Sequence, residues 1–154
     1  PSNGVHSNGY SLVRSILKKS KITKKIKKEL IKPTKIYTKE ILSLVNKNLI
    51  NAAAHITGGG LIENITRSIP KNLSINIDLG KIKTKKIFKW LKSQNISDPE
   101  MLKTFNCGVG FCVIIDKKNI NQIKKYFTKD YMPYEIGYVS ESPKKLNLYN
   151  SIKW

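Results

Sequence analysis

The sequence has few of the residues that cross-link small secreted proteins, ligate zinc or span membranes. It holds two cysteines and two histidines in 154 residues. No apolar run approaches the roughly 20 residues of a membrane helix. Two cysteines exclude a disulfide-dense secreted scaffold, and no Cys/His cluster has zinc-ligand spacing. No signal-peptide pattern opens the chain. We therefore expect a cytoplasmic protein without a metal site, folded as one domain over 1–154.

Acidic residues are also scarce, which leaves a large excess of positive charge. Ten Asp and Glu residues face 29 Lys and Arg residues, so the formal net charge is +19. Such a charge attracts nucleic acids through counterion release. The lysines are spread along the chain, however, and aromatic residues do not alternate with them as in single-strand binders. We expect no specific nucleic-acid partner and keep a basic nucleic-acid-binding module as the alternative.

Arginine and histidine are rare, and they lie close to clusters of glycine. Arg14 and Arg67 are the only arginines in a chain that otherwise uses lysine. A guanidinium binds phosphate or carboxylate through two parallel hydrogen bonds, which an ammonium cannot reproduce. Seven of the nine glycines fall in three short segments, at 4–9, 58–60 and 108–110. These segments are the candidate functional parts of the sequence.

The first segment, GVHSNGYSLVR (4–14), is a polar loop that leads into a predicted helix starting near Tyr10. Unpaired N–H groups at a helix N-terminus form an anion site, and Ser7 or Asn8 is expected to cap this one. Arg14 lies just over one turn into the helix, on the same face as Tyr10. The simpler interpretation is a capped helix with a surface arginine.

The second segment, HITGGGLIENITR (55–67), places three glycines between a strand-like run and a helix. Glycines allow a backbone to approach a phosphate closely, although a tight turn would also explain them. The segment lacks the Gly-Lys-Ser/Thr of a P-loop and the G-x-G-x-x-G of dinucleotide-binding folds. Glu63 and Asn64 either fix a polar substrate or satisfy the end of the helix.

The third segment, TFNCGVGF (104–111), introduces an apolar strand through two glycines, a pattern typical of a bulge or a close backbone contact. No base that could activate Cys107 lies nearby in the sequence. We therefore expect a buried structural thiol rather than a nucleophile.

Hydrophobic periodicity predicts an α+β domain, with helices packed on a mixed β-sheet. The helices are expected near 10–17, 33–45, 61–68, 87–94 and 118–127, with another starting at Asp98 as its cap. The strands are expected at 74–79, at 109–116 as a central strand, and in a possible hairpin of 134–141 with 145–152. The run at 49–57 fits a strand or a helix tail, and 20–32 is expected to be irregular or to contain a short helical turn.

Taken together, the motifs resemble the C-terminal domain of phosphoribosylaminoimidazole (AIR) synthetase. The matching pieces are PSNGVHSNGYSLVR (1–14), KPTKIYTK (32–39), AHITGGGLIENITR (54–67), TFNCGVGF (104–111) and EIGYV (135–139). They occur in the family's order and cover essentially the whole chain. The chain departs from the family pattern at Thr66, where proline is usual, and at Asn3, where serine is common.

The resemblance implies a role in purine biosynthesis. The family closes the imidazole ring of formylglycinamidine ribonucleotide (FGAM) with ATP, giving AIR, ADP and phosphate. ATP and Mg²⁺ would bind mainly to an N-terminal domain absent from this chain, so no cofactor is expected here. That domain would also form much of a homodimer. Related domains of FGAM synthetase or selenophosphate synthetase are the alternative, and a pure scaffold is a third interpretation.

The resemblance and the residue chemistry together predict a set of site residues. His6 and Asn8 are expected to be catalytic and, with Ser7, to face the reacting amidine and formamide. The triglycine with Arg67 or Arg14 is expected at the phosphate. The complete expected substrate-binding set is Ser7, Arg14, Thr57, Gly58, Gly59, Gly60, Asn64 and Arg67.

Overall fold

Seven short helices and five strands make up the fold, and the computed structural model describes all of residues 1–154. The helices are α1 (Tyr10–Leu17), α2 (Lys24–Leu30), α3 (Thr38–Val45), α4 (Gly60–Thr66), α5 (Lys86–Lys92), α6 (Asp98–Thr104) and α7 (Ile120–Lys124). The strands are β1 (Ala52–His55), β2 (Leu73–Asp78), β3 (Phe111–Ile114), β4 (Gly137–Glu141) and β5 (Leu146–Tyr149). The predicted α+β class is confirmed. None of the helices has the length and apolarity needed to cross a bilayer.

The strands form two sheets, and the three-stranded one is the mixed sheet that the sequence predicts. β1 and β3 pair antiparallel as a two-stranded sheet, so β3 is not a central strand. β2 is the middle strand of the other sheet, antiparallel to β4 and parallel to β5. The hairpin prediction is therefore wrong, because β2 lies between the two last strands. Ile75 and Ile77 of β2 are almost fully buried, which suits the interior position.

Two helix predictions also change. The segment 20–32 contains α2, and the next helix begins at Thr38 rather than at Pro33. The residues before α3 are held in place by Tyr37, whose buried hydroxyl donates to the Pro1 carbonyl at 3.0 Å. The apolar residues of 33–45 do not all face the core, because three of their side chains are exposed: Ile36, Leu42 and Val45.

The helix that precedes the third glycine segment is capped one residue earlier than predicted. The N-cap of α6 is Ser97, whose hydroxyl accepts from the Glu100 N–H at 3.3 Å, and Asp98 is the first helical residue. Pro99 lies in the first turn, where its missing N–H is harmless. The start of α6 is therefore fixed by its cap, and the other end of this helix borders the candidate site.

A single large core connects most of the elements. It contains 23 buried residues, with Phe88 and Phe105 fully enclosed. Their rings meet edge to face, with centroids 6.4 Å apart. Phe105 directly follows α6, so the end of that helix is fixed in the core.

We expect Leu91→Ala to lower the free energy of unfolding by about 2–5 kcal/mol, because Leu91 is completely buried and its truncation leaves a cavity. Leu42→Ala is the matched control. Its side chain is 53% exposed, and we expect a change within about 0.5 kcal/mol. Urea unfolding followed by circular dichroism measures both. Equal losses in the two variants would contradict this assignment of core and surface.

Candidate functional site

The loop before α1 is held against the segment that follows α6 by Asn106. This side chain is fully buried, and its amide donates to the carbonyls of Gly4 at 2.9 Å and Val5 at 3.2 Å. Its oxygen accepts from the N–H of Gly108 at 2.9 Å. A buried amide is tolerated only when its polar atoms are paired, so Asn106 fixes the course of both segments.

Gly9 allows the start of α1 to pack against Phe105, directly after α6. It is the N-cap of α1, with a left-handed φ of +75°. A Cβ at this position would overlap the Phe105 ring. The predicted caps are therefore wrong: neither Ser7 nor Asn8 caps α1, and the Ser7 hydroxyl instead bonds that of Thr34 at 2.9 Å.

The triglycine turn also packs against α6. Gly59 and Gly60 have φ of +89° and +62°. A Cβ on Gly60 would overlap the carbonyl of Leu102 in α6, so only glycine permits this approach. The loop before α1 and the triglycine turn therefore both pack against the end of α6.

Asn64 of α4 closes the triglycine turn. Its amide lies 2.7 Å from the Gly60 carbonyl, 2.9 Å from that of Gly58 and 3.3 Å from that of Thr57. Its oxygen accepts from the Thr57 hydroxyl at 3.4 Å. Because the side chain is occupied by the turn, it holds the turn in shape rather than extending towards a ligand.

The loop before α1, the triglycine turn and the end of α6 line one open cavity of about 670 Å³. The loop and the triglycine turn, both expected to contact the substrate, therefore share one concavity. The residues that line the cavity are Ser7, Asn8, Gly9, Tyr10, Ser11, Leu12, Arg14, Gly58, Gly59, Glu63, Lys103 and Thr104.

Backbone donors face this cavity on two sides. The N–H groups of Tyr10, Ser11 and Leu12, in the first turn of α1, have no hydrogen-bond partner in the protein. The N–H groups of Gly58 and Gly59 are likewise unpaired. Unpaired donors at a helix start favour an anion, and the helix dipole adds to the attraction.

The charged side chains of the cavity wall are two cations and one carboxylate. Arg14 reaches the Ser11 hydroxyl at 3.5 Å and has no acidic partner. Lys103, at the end of α6, adds a second cation. Glu63 pairs with Arg67 at 3.0 Å.

The structure brings together only part of the predicted site. Ser7, Asn8, Arg14, Gly58 and Gly59 line the cavity. The predicted residues that do not line it are His6, Thr57, Gly60, Asn64 and Arg67. Arg67 extends outward, with its side chain 68% exposed and bonded to Glu63.

Sequence reasoning missed Lys103 and Ser11. Lys103 carried no signal, because lysine is the commonest basic residue in the chain and no glycine stands beside it. Ser11 lies inside the first segment, and its place in the first helical turn could have identified it. Thr104 belongs to a quoted motif but was assigned no role.

His6 does not line the cavity and packs near Tyr37 instead. It is 5% exposed, its Nε2 is 2.8 Å from the Asn3 Oδ1, and its Nδ1 has no partner. Its φ of +60° is unusual for a residue other than glycine. Burial, followed by the nearby His55 and Lys35, lowers the pKa of His6 from 6.5 to about 4. The imidazole is therefore neutral at physiological pH.

Cys107 has the structural role expected of it. The thiol is fully buried and lies 3.3 Å from the Met101 carbonyl. Burial raises the pKa of Cys107 to about 12, which leaves almost no thiolate at neutral pH.

We expect Asn64→Ala to lower the free energy of unfolding by about 1–3 kcal/mol, because three backbone carbonyls each lose the hydrogen bond from its side-chain amide. Amide exchange at Gly60, whose N–H donates to the Thr57 carbonyl at 3.0 Å, should also accelerate. Asn51→Ala is the matched control, since it removes one exposed hydrogen bond, to Asp116 at 3.0 Å. Unchanged exchange in Asn64→Ala would show that the turn holds its own shape.

We expect the stability of the protein to fall as the pH drops from 6.5 towards 4, in part through His6. In this window the unfolded state binds a proton on this imidazole and the folded state does not, because the pKa of His6 is lowered to about 4 on folding. His6→Gln should therefore show a shallower loss in urea unfolding over this range. Above pH 7 the two pH dependences should coincide. An equally steep acid loss in the variant would contradict the burial of His6.

Comparison with known proteins identifies the family of the chain. A family model described as "AIR synthase related protein, C-terminal domain" matches residues 1–146. The phosphoribosylformylglycinamidine cyclo-ligase of Lactobacillus helveticus is 40% identical over 156 residues, covering 93% of this chain and 45% of the relative. That of Staphylococcus epidermidis is 43% identical over 145 residues, covering 88% and 42%.

A longer relative gives the same result. The trifunctional purine biosynthetic protein adenosine-3 of Gallus gallus is 41% identical over 149 residues, which are 90% of this chain and 15% of the relative. The chain thus spans less than half the length of these curated relatives. The resemblance that the motifs indicated is confirmed: the chain belongs to the AIR synthase related protein family, as its C-terminal domain.

Proposed function

We propose that this chain is the substrate-binding domain of an ATP-dependent cyclo-ligase that converts FGAM to AIR, with release of ADP and phosphate. The observation that carries the proposal is the single cavity between the loop before α1 and the triglycine turn. Its volume of about 670 Å³ lies in the range of small-molecule sites. The names of the two bacterial relatives favour the cyclo-ligase over other activities of the superfamily.

The phosphate of the ribonucleotide would bind at the start of α1. Three unpaired N–H groups face the cavity there, and Arg14 and Lys103 supply positive charge. Bidentate binding by a guanidinium is the strongest contact that a side chain offers to a phosphate. Because Arg14 lines the cavity and Arg67 does not, we assign the phosphate to Arg14.

The neutral polar groups of the loop suit the reacting part of the substrate. Asn8 and Ser7 line the cavity and could hydrogen-bond the formamide and amidine nitrogens. We keep Asn8 as the catalytic candidate. His6 is neutral and buried and does not line the cavity, so we assign it to positioning the loop through Asn3.

ATP and Mg²⁺ would bind outside this chain. Carboxylates are the usual protein ligands of Mg²⁺, and the cavity has only one, on Glu63. No three His, Cys, Asp or Glu side chains come together elsewhere. The residues present therefore do not fit a magnesium–nucleotide site. We propose that the part of the enzyme which the relatives have in addition binds ATP, completes the cleft and forms the homodimer.

We expect Arg14→Lys to raise the KM for FGAM roughly 10-fold or more in a full-length enzyme carrying this domain, because one of two parallel hydrogen bonds to phosphate is lost. Arg67→Lys is the matched control and should stay near wild type. Steady-state release of phosphate with FGAM and ATP measures both. A wild-type enzyme that does not cyclise FGAM would refute the function. A loss confined to Arg67→Lys would move the phosphate to the other arginine.

A further inference from the structure

One carboxylate lines a cavity that otherwise attracts anions. Glu63 is the only acidic residue of the wall, whereas Arg14, Lys103 and the start of α1 all bring positive potential. The Glu63 side chain folds back over the triglycine turn, where a Cβ on Gly59 would overlap its carboxylate. A carboxylate repels a phosphate, so its presence indicates a ligand that carries positive charge as well.

The carboxylate is available to such a ligand. Its present partner is Arg67, bonded to Oε2 at 3.0 Å, while Oε1 accepts no hydrogen bond. The two side chains are 46% and 68% exposed, and exposed ion pairs of this kind contribute little to stability. A ligand cation can therefore bind Oε1, or replace Arg67, without disturbing the fold.

We propose that Glu63 binds the amidinium group of FGAM and thereby selects the amidine over the corresponding amide. This inference rests on the proposed function. An amidine is a strong base that is protonated near neutral pH, and it presents two N–H groups in one plane. A carboxylate accepts such a pair as it accepts the two donors of a guanidinium.

The amide counterpart, formylglycinamide ribonucleotide, is neutral and carries a carbonyl oxygen at the equivalent position. Glu63 would lose one donor and face that oxygen directly, which disfavours the amide. The two ends of the substrate also match the two walls of the cavity, since Arg14 belongs to the α1 wall and Glu63 to the α4 wall. The charges therefore orient the substrate as well as select it.

The test compares the affinity of a full-length enzyme for FGAM and for its amide counterpart, by calorimetry. We expect Glu63→Gln to weaken FGAM binding roughly 10- to 100-fold, the loss of one charge-assisted hydrogen-bonded pair. Binding of the amide should be unchanged or tighter, so the ratio of the two affinities collapses. Glu29→Gln is the matched control, because Glu29 forms a similar surface pair with Lys32 at 2.6 Å. Its ratio should equal that of wild type.

The ratio separates selection from a merely structural effect. If Glu63→Gln weakens both ligands equally, or leaves the ratio as in wild type, the inference is overturned. These outcomes differ from a failure of the proposed function, in which the wild-type enzyme itself does not turn over FGAM. The exposed position of Glu63 makes misfolding unexpected, and a thermal melt of each variant checks it.

Discussion

The cavity forms because the loop before α1 and the triglycine turn both pack closely against the end of α6. The buried side chain of Asn106, in the segment after α6, joins the loop before α1 through two hydrogen bonds, to the carbonyls of Gly4 and Val5. The triglycine turn reaches the same support because Gly60 has no side chain to separate it from Leu102. Since Phe105 anchors the end of α6 in the core, the fold positions both cavity walls without a ligand.

The polar chemistry of the cavity arises from a few local groups rather than from the net charge. Most of the 29 basic residues do not line the cavity, whereas Arg14, Lys103 and the unpaired N–H groups of α1 do. The electric field that a small ligand experiences is set mainly by groups within a Debye length, about 8 Å at physiological salt. Glu63 gives that field a direction, because it is the only negative group of the wall.

Much of the fold could be predicted from the sequence, and the misses share a physical cause. Periodicity identified α1, α4, α5 and β2 to within a few residues, because apolar residues recur in each of them at the spacing of its secondary structure. It did not show that β2 lies between β4 and β5, or that β3 has a single partner. Pairing of strands distant in sequence depends on which surfaces meet in three dimensions, and local pattern does not record that.

The candidate site, like the fold, could be predicted from the sequence only in part. Rarity and glycine context correctly selected Arg14, Asn8 and the triglycine turn as neighbours of one cavity. The sequence could not separate Arg14 from Arg67, because both are four-residue neighbours of polar groups on helices. In the structure Arg14 lines the cavity, whereas Arg67 pairs with Glu63 and does not line it. The sequence did not identify Lys103 either, because only its position at the end of α6, beside the cavity, distinguishes it from the other lysines.

The sequence by itself determined the α+β class, the family and the two segments that form the cavity, because residue type and spacing carry that information. The tertiary structure decided which side chains reach the cavity, that His6 is buried away from it while Asn64 holds the triglycine turn, and that one carboxylate shares the wall with two cations. Those outcomes depend on burial and on contacts between residues about 40 to more than 100 positions apart, such as Asn106 with Gly4 and Gly60 with Leu102.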